Sequence, residues 1–162
     1  MELHLKIIGW LLILLSFMHV MFPRYFKWKQ EFASVILINR QMMYVHTFFI
    51  ALVVFLIGLL CITSSVDLIA TPLGNRLAAG LFVFWSMRLV IQFFGYSSSL
   101  WKGKRLETII HVLFSLLWFY MSVVFFLVLV LVLFSRLNFG TNLLVNAKIN
   151  ARVTLDLLIF TY

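Results

Sequence analysis

The sequence predicts an all-α membrane protein: a four-transmembrane-helix antiparallel bundle followed by a short non-helical or disordered C-terminal tail. Three observations carry that expectation. Of the 162 residues, 64% are hydrophobic and only 11% are charged, whereas a soluble domain is close to half apolar and a quarter charged. Four apolar runs, residues 3–22, 44–66, 77–97 and 107–134, each have the ~20-residue length that crosses a bilayer core. Most of the 13 Lys and Arg lie between those runs rather than inside them. The solvent for this much apolar surface is lipid, with a mean hydropathy of +1.11. Residues 1–135 read as one transmembrane domain and 136–162 as a tail, with no internal repeat and no low-complexity segment.

The first run, 3–22, is interrupted only by His4, Lys6, Ser16 and His19. Its positive charge is weak before the run and strong after it, and no small-x-small cleavage site precedes Pro23, so it reads as a retained helix rather than a signal peptide. Pro23 is expected to end it, because proline lacks the N–H that continues a helix. The first connection, 23–43, mixes Arg24, Lys27, Lys29 and Arg40 with Tyr25, Phe26 and Trp28. Rings beside cations belong at headgroup level. Within it, 33–38 is apolar but too short to span, and reads as an interfacial helix or a plain loop.

In the second run Ala51 and Gly58 are small enough for close helix contact. The connection 67–76 is expected to be a short turn broken by Pro72, Gly74 and Asn75, making the second and third spans antiparallel neighbours. The third run carries Arg88 and Gln92, and a tight basic turn at 98–106 leads to the fourth. The fourth run exceeds ~20 residues and must tilt or protrude. From 145 to 157 the tail alternates strictly between apolar and polar residues, the two-residue period of a strand. A lone strand would leave its backbone unpaired, so that stretch is expected to be disordered, irregularly helical, or added to a partner's sheet.

Charge sets the orientation. Arg24, Lys27, Lys29, Arg40, Lys102, Lys104 and Arg105 lie on the side of the first and third connections. Lys6, Arg76 and Arg136 lie near the spans on the other side, with Lys148 and Arg152 further out. The bias places the basic connections in the cytoplasm and both termini outside. The net charge of +8 is thus a topology signal, and no reading module for nucleic acid is visible.

Arg88 is the organising residue. It sits near the middle of an apolar run, where a charge costs about 2.5–3.5 kcal/mol on insertion scales. It therefore needs a partner, water or an exit to a headgroup. Gln92 shares its face at i, i+4, and Trp85 stands one turn before it. Counted from the ends of their spans at 1.5 Å per residue, His19, His46, His111 and Gln92 all fall roughly 4–7 Å from the cytoplasmic side. All four helices are thus expected to put a nitrogen-bearing side chain into one shallow slab. Glu107, one turn before His111, either caps the fourth helix or holds the imidazole tautomer.

Three functional readings fit that slab. It is a packing layer in a non-catalytic membrane component or accessory subunit. Alternatively, His19, His46 and His111 bind haem or a metal ion in a redox protein. Alternatively, Arg88 attracts a small anion in a transporter, with the histidines relaying protons. No HxxxH or ExxH pair lies on a single helix, so metal ligands would have to meet in space. Cys61 is the only cysteine, which excludes an internal disulfide and an all-cysteine metal site within one chain. Nucleophilic hydrolysis has no GxSxG element, phosphate handling has no Gly-rich loop, and the five acids are scattered.

The stretches INRQMMYVHTFFIALVVFLIGLL and QFFGYSSSLWKGKRLETIIH resemble a family of small bacterial multi-pass membrane proteins without an assigned activity. The likeness covers residues 1–135, and the tail after Phe139 departs from it. It implies a bacterial inner-membrane location and transfers no activity, cofactor or site residue.

Overall fold

The computed structural model describes residues 1–97 and 101–160, with Arg136 and residues 139–160 described by their backbone alone. Among the described residues six helices follow one another: α1 (Glu2–Tyr25), α2 (Trp28–Glu31), α3 (Leu37–Thr63), α4 (Ser65–Ala70), α5 (Pro72–Phe94) and α6 (Arg105–Phe160). Four of them contain stretches long and apolar enough to cross a membrane: Glu2–Tyr25, Leu37–Thr63, Pro72–Phe94 and Arg105–Ser135. The protein is all-α, built on four apolar helices that suit a multi-pass membrane protein.

The helices pack as two hairpins. α1 lies along α3 and α5 lies along α6, while among the described residues α3 does not pack along α5 or α6. The hairpins meet where the start of α1 reaches α4 and α6. There Leu5, Ile8 and Leu68 join Ala78, Leu81, Met121 and Phe125 in one buried cluster. Across this junction His4 Nδ1 and the Tyr120 hydroxyl are 3.0 Å apart. The expected pairing of the second and third spans is therefore corrected, because the connection between them is itself structured. Thr71 caps α5, its hydroxyl accepting from Gly74 N–H at 3.0 Å, and Pro72 occupies the first helical position, where its missing N–H costs nothing. Thr71 also donates to the Asp67 carbonyl at 2.8 Å. Gly74 comes so close to the Asp67 backbone that any Cβ there would overlap the carbonyl oxygen. Pro72 and Gly74, expected to break a turn, instead start a helix and press it against α4.

Lipid offers no hydrophobic drive between helices, so α1 and α3 associate by close approach and interhelical hydrogen bonds. A Cβ on Gly9 would lie 2.7 Å from the Gly58 carbonyl oxygen, and one on Gly58 would lie 2.8 Å from that of Gly9. Two turns along the seam, the buried Ser16 hydroxyl donates to the Ala51 carbonyl at 2.9 Å. Ser16→Ala is expected to lower stability by about 0.5–1 kcal/mol, the usual size of such a bond in a membrane bundle. Reversible unfolding in mixed micelles checks it.

Other boundaries also move. Pro23 lies inside the last turn of α1 rather than ending it. A proline near a helix end forfeits a single hydrogen bond, and the chain turns only at Lys27, which adopts a left-handed φ of 48°. The short connecting helix is α2, not residues 33–38. It buries Trp28 against Phe32 and Tyr44, with ring centroids 5.3 and 5.4 Å apart. α3 starts at Leu37, so Arg40 stands in its first turn.

Of the outcomes expected for the tail, the helical one is described. The backbone of α6 continues without interruption to Phe160, giving a 56-residue helix. At 1.5 Å per residue this is about 84 Å, against ~30 Å for a bilayer core. A helix satisfies its own backbone bonds, whereas the strand suggested by the alternating residues needs a partner for every other one. Nothing in 136–160 forbids a helix, since the stretch holds one glycine and no proline. Which faces its alternating side chains present, and residues 161–162, lie outside the described residues.

Candidate functional site

The expected slab divides between the hairpins. His19 and His46 belong to the α1–α3 hairpin. Arg88, Gln92, Trp85, His111 and Glu107 belong to the α5–α6 hairpin. Each ring in the first pair is turned onto its own helix: His19 Nδ1 is 2.7 Å from the Leu15 carbonyl oxygen and His46 Nδ1 is 2.8 Å from that of Met42. His46 is exposed, and His19 packs against Phe22 at 4.7 Å. His111 lies instead between Trp101, 3.9 Å away by ring centroids, and Phe93, at 6.1 Å. Among the described residues no three His, Cys, Asp or Glu side chains gather as a metal site. The single layer drawn from all four helices is thus corrected. Equal depth along separate helices does not make neighbours when, among the described residues, the hairpins meet near the start of α1.

Within α5–α6 the residues do converge. Trp85 and Trp118 are 2% and 4% exposed and stack with ring centroids 5.3 Å apart and planes 8° from parallel. Phe114 extends the stack on the Trp118 side at 5.7 Å, and Phe84 meets Trp85 edge-on at 4.9 Å. The Arg88 guanidinium carbon lies 4.9 Å from the Trp118 ring centroid and 5.8 Å from that of Tyr96. Arg88 Nη1 donates to Gln92 Oε1 at 3.2 Å, and Gln92 is itself buried. An indole face attracts a cation through its quadrupole, by about 0.5–1 kcal/mol when exposed and ~2 kcal/mol when desolvated. Two rings and one amide therefore receive the charge, six residues before the end of α5, while among the described residues no carboxylate reaches it.

The sequence placed Arg88, Gln92 and Trp85 on one helix but missed Trp118, Tyr96 and Trp101. An interior arginine in a span without acids implies π faces or amides on a neighbouring helix. That would have pointed to Trp118, the tryptophan within the fourth run. Glu107 stands exposed in the first turn of α6, where a negative charge suits the helix dipole. The Nε2 of His111 is buried without a hydrogen-bond partner among the described residues, so Glu107 does not hold that nitrogen. The indole N–H groups of Trp85 and Trp118 are likewise buried without an acceptor. Each such group costs about 1–3 kcal/mol.

Comparison with models of protein families, with curated proteins and with solved structures finds no match.

Proposed function

We propose that this chain is a non-catalytic component of a cell membrane, an accessory subunit whose Arg88–Trp118 layer locks α5 to α6. The observation that carries the reading is that the contacts holding Arg88 bridge α5 and α6. Gln92 binds the guanidinium and Trp118 covers one face of it. Charges within membrane spans usually face such interiors rather than lipid. The outward side of α3, with Phe48, Phe49, Leu52, Val53 and Leu56 exposed, is available to lipid or to another subunit. The basic connections are assigned to the cytoplasm and both ends of the four-span region to the outside, following the Lys and Arg bias. The resemblance noted above supports a bacterial inner membrane.

The transport reading draws on the same arginine, because no carboxylate neutralises it among the described residues. One experiment separates the two. Arg88→Leu is made in the full chain, and folded yield and anion flux into vesicles are both measured. A locking role predicts loss of most of the folded protein. Intact folding with flux abolished would reverse the assignment in favour of transport. The redox reading draws only on the residue types His19, His46 and His111. An absorption spectrum with elemental analysis of the purified protein tests it: a haem band or stoichiometric metal would establish it against the structural role.

A further inference from the structure

Among the described residues Arg88 has more donors than its layer uses. A guanidinium carries five N–H groups, and the contact to Gln92 takes one of them. Arg88 is only partly buried, and none of its nitrogens is sealed from solvent without a partner. The two groups on its own side of the hairpin, Gln92 and Tyr96, both lie toward the loop that joins α5 to α6. Six residues separate Arg88 from the end of α5 at Phe94, about 9 Å of helix. A long side chain leaning that way brings its head to the level of lipid phosphates. The same end carries Lys102, Lys104 and Arg105, all exposed, against one acid, Glu107. Trp101 and Tyr96 supply the rings that sit at that level.

We propose that the loop end of the α5–α6 hairpin binds the phosphate group of an anionic phospholipid, with Arg88 as its inner ligand and the 102–105 cations as its outer ones. Guanidinium and phosphate match as paired donors and acceptors. The π faces of Trp118 and Tyr96 hold the fork in place, so little freedom is lost when the phosphate arrives. The anionic headgroup supplies the counter-charge that no described side chain provides. This goes beyond the locking role, which is read by stability, whereas lipid retention is read by occupancy.

The test is native mass spectrometry of the full chain released from micelles holding equal phosphatidylglycerol and phosphatidylcholine. The wild type is expected to retain phosphatidylglycerol about tenfold over phosphatidylcholine, the factor one charge-assisted contact supplies. Arg88→Lys keeps the charge but loses the fork, and should reduce the preference several-fold. Arg88→Gln should remove most of it. The exposed triple variant Lys102→Gln, Lys104→Gln, Arg105→Gln provides a folded comparison and should weaken the preference less than Arg88→Gln. Equal retention of the two lipids by the wild type would overturn the proposal without recourse to any variant. So would a preference that survives Arg88→Lys unchanged and disappears only in the triple variant. A parallel arm adds millimolar inorganic phosphate to the wild type. Retention unaffected by it supports the lipid headgroup, and displacement by it would overturn the lipid assignment in favour of a free anion.

Discussion

Gly58→Leu is expected to destabilise the protein by about 2–4 kcal/mol, the upper range for overpacking a tight contact. The added Cβ would sit 2.8 Å from the Gly9 carbonyl oxygen and 3.1 Å from the Leu12 Cβ, with the rest of the leucine still to be placed. Backbone cannot rotate away as a side chain can, so α1 and α3 must part. Parting them also stretches the Ser16 to Ala51 hydrogen bond. Gly80→Leu is the matched comparison. Nothing lies within 4 Å of a Cβ at Gly80, so that change should alter stability by less than about 0.5 kcal/mol. Equal effects at the two glycines would mean that the α1–α3 seam is not where the structure places it.

Trp118→Leu is the second large effect, expected at about 2–4 kcal/mol. The substitution keeps an apolar side chain of moderate size. It removes the stack on Trp85, the contact with Phe114 and the face that receives Arg88. An aromatic pair is worth about 0.5–1.5 kcal/mol beyond the area it covers. The guanidinium then keeps Gln92 as its partner but loses its principal ring. The comparison is Trp10→Leu, since Trp10 is 65% exposed. That variant should be close to neutral, because an indole facing lipid exchanges one apolar contact for another. Unfolding in mixed micelles or by steric trapping in bilayers measures both.

The spans were legible because lipid imposes a simple rule: some twenty apolar residues satisfy the backbone and the solvent together. Arg88 and Gln92 were legible for a related reason, since a charge inside such a run is conspicuous and i, i+4 geometry is local. What could not be read was how the hairpins sit against each other. The depth of His19, His46 and His111 follows from counting residues, but their separation depends on α4 and on the contact of Gly74 with Asp67. A ten-residue connection looks like a plain turn until its Thr71 cap and its buried Leu68 are seen in place. Gly58 was recognisable as a contact residue, but its partner Gly9 lies in a run with no further mark to single it out. The alternating residues of 145–157 left a helix and a partnered strand both open for a different reason. Period-two patterning reports a strand only where a partner exists, and a helix needs none.

The interaction of Arg88 with Trp118 is the contact on which the account of this protein turns, and a double-mutant cycle measures it most directly. Stability is determined for the wild type, Arg88→Gln, Trp118→Leu and the double variant in one lipid composition. A guanidinium held over a buried indole predicts a coupling energy of about 1–2 kcal/mol, the double variant losing less than the two single losses combined. Losses that add to within about 0.3–0.5 kcal/mol would show the two side chains acting independently, and would contradict the locked α5–α6 layer.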